Sequence, residues 1–541
     1  MYRIAVILSL LFCACLHLEA QPPFSDSNLP IIIIDTKGGQ IVDEPKIEAE
    51  MKIINNGPGK RNHLSDTVFQ YNNKIGIEFR GSSSQMFPKK PYGFETKDEN
   101  GEKLEVALLG MPEEEDWTLN ATYNDKTLMR DGLTYILAGR VMEYAPRVRY
   151  IELVINEDYQ GIYLLIEKIK RSKNRVQIAK IGKSDNDGDA LTGGYLIQID
   201  RAPTPNIDEG WVSPFAPFKG AAQTTFFQYE YPKAKNITPQ QRKYIREYVT
   251  HFENVLHSNR FNDPLEGFRK YIDEQSIMDY IIFNELTKNV DAYRLSTYFY
   301  KQRDSEGGKI KFGPVWDYNL GLGNVDYCTN GNPEGLVITD FNQVCPDDDW
   351  VVHFWWNKFL EDTTFYNDLK QRWQYLRQHQ LATENILNTV DSLANLLNEA
   401  QFRNFKKWPI LNQYVWPNYF VGATHDEEVA FLKDWIMRRL DYLDGVWYIS
   451  TSTMQEQTSN IIHVWPNPIV KEAIIDLHQP IQLKAVEVFN MNGQKMEIPV
   501  KNTELSQYFA DFDGMEEGIY ILRIIAENQV FTRKIVKATS H

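Results

Sequence analysis

The sequence predicts an α+β body followed by a small all-β sandwich. Three observations carry this reading. Residues 28–235 are dominated by short β-rich runs, and residues 236–450 mostly by helical periodicity. Residues 460–541 return to short alternating strands after a polar linker at 451–459. The 541-residue length suits such a division, at roughly 100–200 residues per domain. Hydrophobic residues make up 43% of the chain, which supplies packed cores and excludes wholesale disorder.

In chain order, Met1–Ala20 reads as a secretory signal peptide. Arg3 precedes an apolar run from Ile4 to Leu16, and Ala20 precedes Gln21-Pro22-Pro23. A rival reading is a lipoprotein signal modified at Cys15. The run is too short to span a bilayer, and no later stretch reaches about 18 apolar residues. Ile31–Ile34, Ile75–Arg80 and Tyr92–Thr96 read as strands between Gly, Asn and Pro punctuation. Met129, Leu133, Ile136 and Leu137 predict a helix over 124–143. Val148–Ile155 and Ile162–Ile166 are strands about a turn at Asn156–Gly161, and Tyr195–Ile199 is another. Helices follow from Thr238, with Ile245, Val249, Phe252 and Val255 on one face and a second helix at Ile277–Leu286. Thr297–Lys301 and Lys309–Phe312 predict a hairpin embedded in the helical half. Helices rich in Trp, Leu and Tyr fill 350–448. In the tail, Ala473–Leu477, Lys484–Asn490 and Ile519–Ala526 have strand length.

The formal charge of −15 argues against a nucleic-acid partner, whose footprint would be basic. Four cysteines cannot build a disulfide-dense scaffold. Cys13 and Cys15 leave with the signal. Cys328 and Cys345 then form either a disulfide contributing about 3 kcal/mol or two unpaired buried thiols. Asp185–Asp189 has the spacing that begins a calcium loop, but Ala190 and Leu196 stand where Gly and Glu are required. It reads as an exposed acidic turn. Asp426-Glu427-Glu428 suits the N-terminus of a helix ending near Leu443.

Three segments carry chemistry. Arg80-Gly81-Ser82-Ser83-Ser84, followed by Lys89 and Lys90, offers backbone N–H groups, hydroxyls and positive charge to a phosphate, or forms a solvated hairpin. Asp291 precedes the predicted hairpin, and Asp317 follows it in Trp316-Asp317-Tyr318-Asn319. Phosphoryl transfer needs one carboxylate at the attacking hydroxyl and another that holds Mg²⁺ on the phosphates. Protein kinases place those two acids on either side of a short hairpin. Five residues after its base that motif has Asn, where this chain has Ser296. The alternative is two loop-capping Asp residues beside a buried Trp316.

These residues resemble the CotH-type kinases, named for a bacterial spore coat protein. The matching set is Arg80-Gly81-Ser82-Ser83, Lys89-Lys90-Pro91-Tyr92, Leu128-Met129-Arg130, Asn156 with Tyr159, Gly161, Tyr163 and Glu167, Gly193-Gly194-Tyr195, Asn289-x-Asp291 and Trp316-Asp317. The resemblance covers roughly residues 28–450. It implies a two-lobed, atypical protein-kinase-like fold that uses ATP with Mg²⁺, or Mn²⁺ in its place, to phosphorylate a protein. Carried over, Asp291 is the catalytic-loop Asp that acts as base, and Asp317, Asn319 and Ser296 face the metal. Arg80, Ser82, Ser83, Lys89 and Lys90 lie on the phosphate side, and Glu167 is either adenine-side or structural. Many relatives have Asn at 296 and Asp at 319, so a kinase-like binding or adhesion protein without turnover is the alternative. The tail, with Trp465-Pro466-Asn467-Pro468, Gly518-Ile519-Tyr520 and Lys534-Ile535-Val536-Lys537, resembles the sorting domain of type IX secretion substrates. It implies that machinery as a partner and export across a Gram-negative outer membrane.

Overall fold

The computed structural model describes residues 24–202, 207–448, 462–466, 468–477, 483–490, 494–504, 507–526 and 529–538. The predicted signal peptide and the linker at 451–459 lie outside the described residues. The chain divides into two units, Met1–Trp447 and Tyr448–His541.

The first unit begins with a closed barrel. The short strand β1 (Asp26–Ser27) pairs with β4 (Asn62–His63) outside it. The barrel strands are β2 (Ile31–Asp35), β3 (Ile47–Ile54), β5 (Tyr71–Phe79), β6 (Tyr92–Thr96), β7 (Asp116–Asn120), β8 (Val148–Ile155) and β9 (Asp158–Glu167), in the order β2-β3-β5-β6-β7-β9-β8. All pairs are antiparallel except the closing seam, where β2 runs parallel to β8, Ile31 opposite Glu152. Alternating residues fill the interior, among them Ile32, Ile34, Met51, Ile75, Ile77, Trp117, Leu119, Leu153 and Leu165. The β8–β9 turn is tighter than expected. It is made by Asn156 and Glu157 at positive φ, and Gly161 already lies in the strand. A Cβ at Gly161 would come within 2.5 Å of the Asn404 amide oxygen.

The helix expected over 124–143 is only α1 (Arg130–Ala138). Asp125 accounts for the difference. Its carboxylate accepts from the N–H and hydroxyl of Thr127 and from the N–H and guanidinium of Arg130. These side-chain bonds compete with the helix and hold 124–129 as turns.

A second sheet contains β10 (Tyr195–Ile199), β11 (Gly210–Val212), β12 (Phe226–Tyr231), β13 (Thr297–Lys301) and β14 (Ile310–Phe312), in the order β11-β12-β10-β13-β14. The hairpin expected near 297–312 is thus present, but it extends a sheet begun by residues 195–231. The boundary placed near residue 235 is not a structural one, because backbone pairing of β10 with β13 crosses it. The further helices of this unit are α2 (Gly188–Thr192), α3 (Pro239–His257), α4 (Glu274–Thr287), α5 (Val337–Val344), α6 (Phe354–Leu360), α7 (Thr363–Gln378), α8 (Thr383–Leu397), α9 (Ala400–Lys407) and α10 (His425–Val446); α4 packs on β14, α8 on α10, and α9 on barrel strand β9. Their starts are encoded locally. Thr238 and Gln241 form a capping box on α3, and Asp273, Asp362 and Thr424 cap α4, α7 and α10. Trp355, Trp356, Trp373 and Trp435 are buried in one continuous core. Cys328 and Cys345 are joined as a disulfide with Cα atoms 5.6 Å apart.

The second unit is two four-stranded antiparallel sheets. One has the order β15 (Ile462–Trp465), β16 (Glu472–Leu477), β20 (Gln507–Asp511), β19 (Val500–Glu504). The other is β18 (Lys495–Met496), β17 (Leu483–Asn490), β21 (Gly518–Ala526), β22 (Gln529–Lys537). Ile475 and Ala510 of the first share a core with Val488, Leu522, Ile524 and Ile535 of the second, as a sandwich requires. Among the described residues no helix is long and apolar enough to cross a membrane.

Candidate active site

A cleft of about 410 Å³ brings the ends of several elements together. Arg80 and the Gly81–Ser84 turn follow β5, Lys168 follows β9, and Asp200 and Arg201 follow β10. Asp291, Leu295 and Ser296 lie between α4 and β13. Trp316, Asp317 and Asn319 follow β14. Asp291 and Asp317, 26 positions apart in sequence, line the same wall-to-wall space because the β13–β14 hairpin returns the chain.

The backbone at Asp317 is fixed from three sides. Its N–H donates to the Tyr135 hydroxyl at 2.9 Å. Its carbonyl accepts from the Asn289 amide at 3.1 Å. The next N–H, of Tyr318, donates to Asp131 at 2.7 Å. These bonds hold Asp317 at φ 65°, a conformation an Asp rarely adopts without support. Asn289 of the Asn-x-Asp motif therefore serves the other acid segment. Trp316 stacks on Tyr135 at 6.1 Å and carries the Arg80 guanidinium on its ring, 5.0 Å from the centroid.

Asp317 keeps an open face toward the cleft while protein packs around the rest of it. Loss of surrounding water, then the carboxylates of Asp291 and Asp200, push it up to about 6. Asp200 is also pushed up to about 6, mainly by burial. Asp131, behind Asp317, is raised to about 8 by burial and then by Asp317. Asp291 is paired with Arg294 at 2.7 Å, and Arg294 reaches Asp348 at 3.0 Å.

Cations line the same cleft: Arg80, Lys168 and Lys233, with Glu78 and Glu230. The Lys168 ammonium makes no hydrogen bond or ion pair among the described residues. Burial and then Arg80 bring it down to about 8. Arg201 donates to the Ser82 hydroxyl at 2.9 Å, tying the Gly-Ser turn to the strand end opposite.

The family described as CotH kinase protein matches residues 77–443, which contain every residue of this cleft. The chain belongs to that family. A second family, described as secretion system C-terminal sorting domain, matches residues 463–538, and this tail points to export to the cell surface or beyond. No curated protein matches the chain.

In this CotH family protein, seven of the ten residues singled out from sequence line the cleft: Arg80, Ser82, Ser83, Asp291, Ser296, Asp317 and Asn319. Three do not. Lys89 is fully buried and donates to the Ile162 carbonyl and the Asn404 amide oxygen, fastening β9 to α9. The Lys90 ammonium turns back to the Gln85 carbonyl. Glu167 is sealed beneath Arg147 and Tyr144. Besides Arg80, the cleft is lined by Lys168, Arg201 and Lys233, which were missed. Lys168 and Arg201 lie just past strands that were legible, Ile162–Ile166 and Tyr195–Ile199, and the available signal was a charged residue at such a strand end. Asp200 was missed for the same reason. Asn319 turns its amide N–H to the Asn124 side chain at 3.1 Å, and its side-chain oxygen has no described donor.

Oxygen donors from Asp317, Asn319 and Asp291 suit a hard divalent cation. Among the described residues, the only acids in a group of three within 4.8 Å are Glu114, Glu115 and Asp116, on the barrel. The cleft acids are spread more widely. This fits Mg²⁺, which takes one or two carboxylates and shares the rest of its shell with phosphate and water.

Proposed function

We propose that the protein is an exported kinase-like enzyme that transfers the γ-phosphate of ATP to a Ser or Thr hydroxyl of another protein, using Mg²⁺. The supporting observation is that one cleft is lined both by the carboxylates of Asp291, Asp317 and Asp200 and by the cations Arg80, Lys168 and Lys233. Asp291 orients the acceptor hydroxyl and takes its proton, with Arg294 holding the carboxylate in place. Asp317 and Asn319 hold the divalent ion, which supplies charge neutralisation on the phosphates. Arg80 and Lys168 draw the polyphosphate into the cleft. The Gly81–Ser84 turn offers N–H groups and hydroxyls along one side. Gly81 suits that turn, because its φ of 89° is a left-handed conformation that residues with a Cβ rarely adopt.

The test is phosphate incorporation from labelled ATP by the wild-type chain and by Asp317→Ala. Equal signal from both would remove the assignment. A second reading, a binding protein on the same scaffold, draws on the neutral Ser296 and Asn319. Thermal shift separates the two, because a nucleotide that binds must stabilise the fold. No shift at millimolar Mg·ATP favours the second reading.

A further inference from the structure

We propose that Asn124 is a positioning residue for Asn319, holding its amide so that the oxygen and not the nitrogen faces the divalent ion. This role depends on the kinase reading above, which places that ion in the cleft. An amide at position 319 meets a difficulty that a carboxylate does not. A carboxylate presents an oxygen whichever way it turns. An amide has one end that ligates a cation and one that repels it. The same cleft is lined by Asp200, Asp291 and Asp317, and a freely turning amide would aim its N–H groups at those carboxylates.

Asn124 prevents that turn. It is buried, lines the cleft, and comes from the turns before α1, 195 positions away from Asn319. Its side-chain oxygen accepts from Asn319 Nδ2 at 3.1 Å, which directs the Asn319 oxygen the other way. Two more buried asparagines fix the backbone of both partners. Asn324 Nδ2 donates to the Asn319 carbonyl at 2.8 Å and to the Asn124 carbonyl at 3.1 Å. Asn418 Nδ2 donates to the same Asn124 carbonyl at 2.7 Å and to the Asn324 side-chain oxygen at 2.9 Å. These bonds reach Asn124 through its main chain, so its side chain can be replaced without undoing them. Among the described residues, Asn319 is the hydrogen-bond partner that remains for that side chain.

The test is Mn²⁺ binding to the full chain, read by electron paramagnetic resonance with and without a non-hydrolysable ATP analogue. Binding that is lost in Asp317→Ala is assigned to the cleft. Asn124→Leu should weaken it about tenfold, the usual cost of losing a group that orients a metal ligand. Asn124→Ala removes the same acceptor without bulk and should act alike. Asn124→Asp keeps an acceptor for the Asn319 N–H and should bind at least as tightly as the wild type. With Asn319→Asp the orientation ceases to matter, and adding Asn124→Leu should then cost less than about twofold. Equal loss in the two backgrounds would make Asn124 merely structural and overturn the proposal. So would unchanged affinity in Asn124→Leu, a comparable loss in Asn124→Asp, or no cleft-bound Mn²⁺ in the wild type. Phosphate transfer is scored separately. The expected Mn²⁺ pattern without transfer leaves Asn124 its role and removes the kinase reading. Transfer together with equal loss in both backgrounds does the reverse.

Discussion

Two acid-rich regions of this protein have opposite surroundings. On the barrel, Glu114, Glu115 and Asp116 all contact the Lys170 ammonium at 2.8–2.9 Å, and Lys46 approaches Asp116. Burial works against the charge of Asp116, but Lys168 and Lys170 outweigh it and hold the group down at about 2. In the cleft, Asp200 and Asp317 have no ion pair among the described residues and sit at about 6. The barrel acids neutralise a lysine and hold the structure together. The cleft acids repel one another and are kept in place by backbone bonds around them. Unpaired carboxylates held against their own repulsion mark the region with chemistry to perform.

The comparison breaks most sharply on activity. Asp317→Ala should lower phosphate transfer by on the order of 10³-fold, whereas Glu114→Gln should leave it within about twofold. Kinetics with labelled ATP would check both. Stability should respond in the opposite sense. Lys170→Met strands the barrel acids and should cost about 3 kcal/mol in denaturant melts. Asp317→Asn removes repulsion and should raise the melting temperature. On the cationic side, Lys168→Met should weaken Mg·ATP binding about tenfold, while Lys90→Met, whose ammonium faces a carbonyl, should change it less than twofold.

The smallest effect is on pH, and the two regions differ in sign. The folded value of Asp131 lies above its ordinary 3.8, at about 8. The folded chain keeps a proton there that the unfolded chain has released, so this group's stabilisation is complete at low pH and declines as pH rises through that window. Asp116 is depressed. Its contribution is complete above 3.8 and is lost as pH falls through about 2. In metal-free buffer, Asp131→Asn should flatten the fall in melting temperature from pH 5 to 8. A pH profile unchanged by that substitution would count against a buried proton at Asp131.

Strand runs and the two acids about the hairpin were legible in the sequence, because each is written in local residue patterns. Barrel closure was not, since it depends on β2 meeting β8 about 120 residues later. The lysines show the same limit. Lys89-Lys90 stood beside a Gly-Ser turn and suggested phosphate contact, but burial against α9 claimed Lys89 for structure. Lys168 and Asp200 gave no local signal beyond their place at strand ends. Only the sheet order turned those ends toward one space. The Asx turn at Asp125 shows the converse, a local bond overriding a clear apolar stripe.

The parallel seam between β2 and β8 also sets how far the front of the chain can be trimmed. Ile31 is the first barrel residue paired across it. A protease that removed the chain through Asp35 would leave β3 and β8 as two bare edges, each a template for pairing with another molecule. Cleavage that stops before Pro30 would preserve the seal, and cleavage beyond Asp35 would leave the barrel open along both edges.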